Sequence, residues 1–281
     1  MRSSSALTDQ AATSPGTCTV LGVEYFIGDL RSAAAVVIDR ARSGGGGYSC
    51  LCGVHGIVTA QHSDAMMRAL EGAWLNFPDG APVAWLMRRF GAPGARRVAG
   101  PDLMPLVIDA GQDVGLRHFL FGSTPDVLER LQARLLERYP RAIIAGTFSP
   151  PFRPLTDEEN VAIAQQIIDS GADVVWAGLG LPKQDQWLER SADLFRPAVG
   201  LGVGAAFDFL AGTKPRAPKW MQDKGLEWVH RLMSEPRRLA RRYAATNTEF
   251  VLRAGLAVGR EYGRVALRRS GMSGRVPAAR R

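Results

Sequence analysis

Cysteine and histidine are scarce: Cys18, Cys50 and Cys52 are the only thiols, and there are four histidines in 281 residues. Three cysteines with no CxxC pair leave no disulfide framework and no structural zinc site, and a reducing compartment is the simplest expectation. His55 and His62 stand apart from any cluster of ligands, so neither reads as a metal ligand. No paired aspartates mark a dedicated metal site. Long apolar runs are missing too. The nearest candidate, "PAVGLGVGAAFDFLAG", is glycine-rich, contains Asp208 and falls short of the ~18 uncharged residues of a spanning helix. The opening "MRSSSALTDQAATSPG" has no apolar core, so residues 1–16 read as a disordered lead-in and not as a secretory signal. A Gly-x-Gly-x-x-Gly fingerprint is lacking after the first expected strand, which counts against a dinucleotide oxidoreductase. There is no internal repeat.

What is present is an ordinary apolar fraction, 46%, enough for a true core. The charge is unevenly placed. Residues 214–281 hold 17 Lys and Arg against 5 Asp and Glu, whereas residues 1–213 hold 18 against 22. A mildly acidic body with a strongly basic C-terminal part points to a polyanionic partner for that part.

The body alternates β-rich runs with helical spacing. "TVLGV" reads as a first strand, followed by a helix over 29–42 and the flexible "SGGGG". "YSCLCGV" and "SDAMMRALEGA" are the next strand and helix. "RHFLFG" precedes a helix with Thr124 as N-cap, Pro125 at its first position and Val127, Leu131 and Leu135 on one face. "RAIIAG" is a strand. The helix after it opens with a Thr156/Glu159 capping box and stops at Gly171. "ADVVWAGLG" and "QDQWLERSADLF" complete the series. Strand–helix alternation predicts an α/β fold, a Rossmann-like, mostly parallel sheet with helices on both faces. After Gly212, "TKPRAPKW" reads as a linker to two basic helical stretches. The expected layout is a body over 17–213, a basic appendage over 214–250 and a partly disordered tail over 251–281.

Ligands of open α/β sheets bind beyond the carboxyl ends of the strands. The segments expected there are "VHGIVTAQ", "NFPDGAP", "FGSTPD" and "GLGLPKQ". Asp79 in Pro-Asp-Gly is either a turn former or a base. Pro and Gly favour a turn, while the apolar residues from Trp74 to Trp85 would raise a carboxylate's pKa and suit it to proton abstraction. In "GLGLPKQDQW", Gly178 and Gly180 lead into a helix start that could bind phosphate, with Lys183 adding charge and Gln184 reading a base or sugar. A plain tight turn is the alternative. Thr59 reads as a helix cap, and Asp102 in "RRVAGPDLMP" as another. Arg231, Arg238 and Arg241 would share one side of a continuous helix, although Pro236 interrupts it. Trp220, Trp228 and Tyr243 among these arginines suit an interfacial surface.

Five segments, "FPDGAPVAW", "RRVAGPDLM", "GLGLPKQDQW", "GVGAAFDFLAGTKPRAPKW" and "GLEWVHRLMSEPRRLARRY", together resemble the WecG/TagA/CpsF family, glycosyltransferase family 26, in order and over roughly residues 17–250. The resemblance implies an inverting hexosyltransferase. It would move a sugar, of N-acetylmannosamine or glucose type, from a UDP-sugar to a polyprenyl-diphosphate-linked sugar. That step belongs to exopolysaccharide or teichoic-acid-type cell-wall assembly. It further implies a protein peripheral on the inner, cytoplasmic face of the membrane, with no cofactor and no nucleic acid. The oligomeric state is left open, a homo-oligomer included. By position the family's base falls on Asp79 and its strand-end threonine on Thr59, where "VTAQ" lacks the family's Pro and Asn. Its glutamine falls on Gln184, with Asp185 replacing a longer acid. Arg231, Arg238 and Arg241 fall in the appendage as phosphate contacts. The rival reading is a membrane- or nucleic-acid-binding module on an inert body, which the basic C-terminal part alone would satisfy.

Overall fold

Alternate residues of the central strands feed two separate apolar clusters. In strand β3 (Tyr48–Cys52), Cys50 and Cys52 face one cluster and Leu51 the other. In β7 (Val174–Gly178), Val175 and Ala177 oppose Val174 and Trp176. Strands buried on both faces need helices on both. The computed structural model describes residues 15–272, with side chains through 261 apart from positions 238 and 242.

The remaining strands are β1 (Thr17–Val20), β2 (Val23–Phe26), β4 (Leu75–Pro78), β5 (Arg117–Gly122), β6 (Ile143–Phe148) and β8 (Val199–Gly202). They form one sheet in the order β1-β2-β4-β3-β8-β7-β5-β6. Every neighbouring pair is parallel except β1–β2. On one face lie α1 (Leu30–Arg42), α5 (Gly100–Gly111), α6 (Pro125–Arg138) and α9 (Ala206–Leu210). On the other lie α2 (Val54–Ala60), α3 (Asp64–Glu71), α4 (Ala81–Arg89), α7 (Asp157–Asp169) and α8 (Lys183–Ser191). The helix starts at Thr124 and at the Thr156/Glu159 box are as the sequence predicts.

Three elements differ from expectation. "TVLGV" is no single strand: Leu21 (φ 49°) and Gly22 (φ 86°) turn the chain into the β1–β2 hairpin. Positive φ at both turn residues gives the twist that two-residue hairpins need. "VHGIVTAQ" is no loop, because α2 occupies it. "VGLG", expected only as part of a failed membrane span, is the fully buried central strand β8. Its glycines make room for α8: a Cβ on Gly200 would stand 2.4 Å from Leu188.

The C-terminal part holds α10 (Lys219–Asp223), α11 (Glu227–Ser234) and α12 (Pro236–Met272). Pro236 opens α12 where its missing N–H costs nothing. "TKPRAPKW" is not a free linker. Lys214 pairs with Asp208 at 3.3 Å and Glu235 at 3.5 Å, and Ala217 is buried. Phe250 and Ala254 of α12 join the same apolar cluster as Ile57 and Val58 of α2.

Candidate active site

The carboxyl ends of the parallel strands share one edge. Cys52 of β3 pairs with Pro78 of β4, Cys50 with Gly202 of β8, and Gly202 with Ala177 of β7. Asp79 is the first residue beyond β4. Its N–H donates to the Cys52 carbonyl at 3.2 Å. Gly80, at φ 111°, then turns the chain into α4. That angle favours glycine strongly. On the neighbouring strand end, a Cβ on Gly53 would sit 2.3 Å from the Asp79 carbonyl oxygen. The Pro-Asp-Gly turn is therefore clasped by its neighbour, and the Asp79 side chain is held at the strand ends.

The surroundings of Asp79 combine the burial that the local sequence suggests with charges from distant segments. Phe77 packs in the cluster that holds Val98 and Leu103, Trp74 lies under Arg40, and Trp85 is exposed beside Arg89. Beyond burial, an ionic cluster also acts on the carboxylate. Arg97 donates from Nη2 to Oε2 of Glu227 at 2.5 Å, and its Nη1 lies 3.6 Å from Asp102. Arg216 grips Asp102 with both terminal nitrogens at 2.8 Å each and reaches Glu227 through Nε at 3.3 Å. Two residues of the body and two of the C-terminal part thus form a closed ring. Burial pushes the Asp79 carboxyl up to about 6. Arg97 opposes that rise, Glu227 adds to it, Arg231 opposes it and Asp102 adds to it. A carboxylate so placed is ionised at neutral pH yet still a competent proton acceptor.

The expected helix cap at Asp102 is corrected: Ala99 is the N-cap of α5, and Asp102 sits in the first turn with its carboxylate on Arg216. None of Arg97, Arg216 and Glu227 was singled out by the sequence. Their signal was present, since charged residues punctuate "RRVAGPDLM" and "TKPRAPKW". But the partners lie 114 and 130 residues apart, beyond any local pattern.

Gln184 is buried at the start of α8. Its Oε1 accepts from the Gly180 amide at 3.1 Å, and its Nε2 lies 2.9 Å from where a Cβ on Gly202 would stand. Two inter-strand steps, about 10 Å, separate the β8 and β4 ends, so Gln184 and Asp79 flank one short edge. Gly180 holds φ 79°, while Gly178 is a glycine for packing: a Cβ there would meet Phe207 at 2.5 Å. Lys183 is exposed in the first turn of α8. Asp185 is fully buried, and burial raises it to about 7.

Thr59 is corrected in place. It stands not at a strand end but in the last turn of α2, where its hydroxyl donates to the His55 carbonyl at 2.7 Å. Arg231 lies in the last turn of α11 with its guanidinium 5.8 Å from the Phe209 ring centre. Arg238 and Arg241 belong to α12, on the far side of the Pro236 break, so the three arginines do not share one continuous helix. Arg241 is exposed, and the Arg238 side chain lies outside the described residues. Among the described residues no three His, Cys, Asp or Glu side chains converge to hold a metal ion.

The family model described as "Glycosyl transferase WecG/TagA/CpsF family" matches residues 18–262. The chain belongs to that family.

Proposed function

We propose that this glycosyltransferase-family protein moves a hexose-type sugar, with inversion, from a UDP-sugar to a sugar carried on polyprenyl diphosphate. The observation that carries the reading is Asp79, a carboxylate at the strand ends whose burial raises it to about 6 against the opposing charges of Arg97 and Arg231. A sugar hydroxyl is a poor nucleophile at neutral pH. Asp79 takes its proton as the new C–O bond forms at the anomeric carbon. The bond to UDP breaks at the opposite side of that carbon, and the electron pair leaves with the diphosphate. Negative charge then grows on the leaving group, where Arg231 and the α8 start with Lys183 stabilise it. Gln184, locked to Gly180, fixes the shape of that loop. Arg238 and Arg241 are further candidate diphosphate contacts from α12.

The lipid acceptor implies a membrane. No helix among the described residues is long and apolar enough to cross one. Trp220, Trp228, Met233, Leu252 and Leu256 are exposed on the C-terminal helices. Large apolar side chains amid Lys and Arg suit attachment to the anionic inner leaflet. A panel of UDP-sugars incubated with a short-chain lipid-diphosphate sugar acceptor, read by product mass, tests the reading. Absence of product with every donor, together with salt-sensitive RNA retention, would replace it by the binding-module reading.

A further inference from the structure

The ionic ring beside Asp79 treats its two carboxylates differently. Asp102 is held by a fork of two 2.8 Å bonds from Arg216. Such bidentate pairing fixes both oxygens of the acid in one plane. Glu227 instead spreads its oxygens over two arginines, Oε2 to Arg97 at 2.5 Å and Oε1 to Arg216 at 3.3 Å. One acceptor bridging two guanidiniums is also how a phosphate group would sit between them. The four side chains keep 15–25% of their surface exposed, so solutes in water reach them. Glu227 rides on the C-terminal part, in the first turn of α11. That turn follows Gly225, which is seated against Ala81 of the body: a Cβ on Gly225 would stand 2.8 Å from the Ala81 Cβ.

We propose that Glu227 is a resident anion occupying a diphosphate seat on Arg97 and Arg216, and that a diphosphate-bearing ligand binds there by displacing it. The inference rests on the transferase reading for the identity of the ligand, but the seat itself is defined by the arginines. A diphosphate carries more charge and more oxygens than a carboxylate, and it can meet both guanidiniums bidentately. Asp102 stays in place, because its fork to Arg216 leaves Arg97 and the outer edge of Arg216 for the newcomer. Displacement also withdraws a negative charge carried by the C-terminal part from the neighbourhood of Asp79. Ligand arrival and the release of Glu227 from the two arginines are then one event.

The test uses the full chain and inorganic diphosphate, with UDP in parallel, by calorimetric titration. Glu227→Gln removes the competing charge and keeps the side chain's size. Diphosphate should bind this variant about fivefold or more tightly than the wild type, the scale of ordinary coupling between two ligands. Adding Arg97→Gln to it should abolish the gain. Affinity equal to or weaker than wild type in a variant with an unchanged melting curve overturns the proposal. Should Glu227→Gln fail to fold, Glu227→Asp, which retracts the carboxylate by one methylene, must still tighten binding, and no change there overturns it equally. The two readings fail separately. Tighter diphosphate binding with no UDP preference supports the seat and counts against a UDP-sugar donor. Sugar transfer from UDP-sugars with unaltered diphosphate affinity in Glu227→Gln leaves the transferase reading standing and removes the seat.

Discussion

The sheet body and the C-terminal helices are held by different kinds of force. Inside the body, Leu51, Trp176, Val175 and Phe121 are buried between strands and helices. Apolar burial is non-directional and cooperative, worth roughly 25 cal/mol per Å². Between body and C-terminal part the contacts include several ion pairs. They are the Arg97–Glu227–Arg216–Asp102 ring, Lys214 on Asp208, and Glu249 between His62 and Arg253. Leu239, Phe250 and Ala254 add a narrow apolar seam. Ion pairs with residual exposure exchange partners readily and respond to salt. The difference teaches that the body is a fixed frame that aims Asp79, while the C-terminal part is a docked element whose grip is adjustable.

The sharpest break in that comparison lies on the body side. Asp79→Asn should cut turnover by roughly 10²–10⁴, the usual worth of a general base, with the fold intact by circular dichroism. The same variant reports on stability. Because burial raises Asp79 to about 6, its contribution to stability is full below about pH 4 and is lost as pH rises through about 6. Asp79→Asn should therefore gain about 1–3 kcal/mol over wild type at pH 7 and nothing at pH 4, measured by urea unfolding. A wild-type turnover rate would reduce Asp79 to a turn residue.

Smaller effects belong to the docked part. Arg231→Ala should lower turnover by about 10², the cost of losing one leaving-group donor, and Arg231→Lys should recover only part of it. Liposome binding should survive in both. Arg216→Ala strands two carboxylates and should cost about 2 kcal/mol, less than a fully buried pair. Hydrogen exchange should place that loss in α10 and α11 and leave β3 and β8 protected. Equal loosening of the sheet would erase the distinction between frame and docked part. Least of all, His62→Ala at an exposed pair should change stability by less than about 0.5 kcal/mol.

Much of the frame is legible in the sequence because it is built from local rules. Caps at Thr124 and Thr156, the stop at Gly171 and the alternation of strand and helix are read within windows of a few residues. The Pro-Asp-Gly turn is legible too, and so is its place after a strand. Strand β8 is hidden because Gly200 and Gly202 carry no side chain to show a pattern; their role is to admit Leu188 and Gln184. The hairpin is hidden because a leucine, which rarely adopts positive φ, occupies its first turn position. Thr59 is misplaced because "VHGIVTA" begins its helix immediately at Gly53, leaving no loop after β3. The environment of Asp79 is illegible for a different reason. Local apolar neighbours suggest burial, which is the larger effect, but Arg97, Glu227, Arg231 and Asp102 add charges from distant segments that no local pattern shows.

The ring beside Asp79 contains two guanidiniums and two carboxylates. The joint's own charges balance, so its pairing does not depend on the outward side of the C-terminal helices. Exposed residues such as Trp220, Lys224 and Leu252 take no part in the joint and can vary without unseating it. For an engineer the same partition is a grafting line. Such outward positions can be recharged, shortened at the side chain or tethered to an artificial anchor, while the four ring residues and Gly225 are kept as the coupling between the two parts.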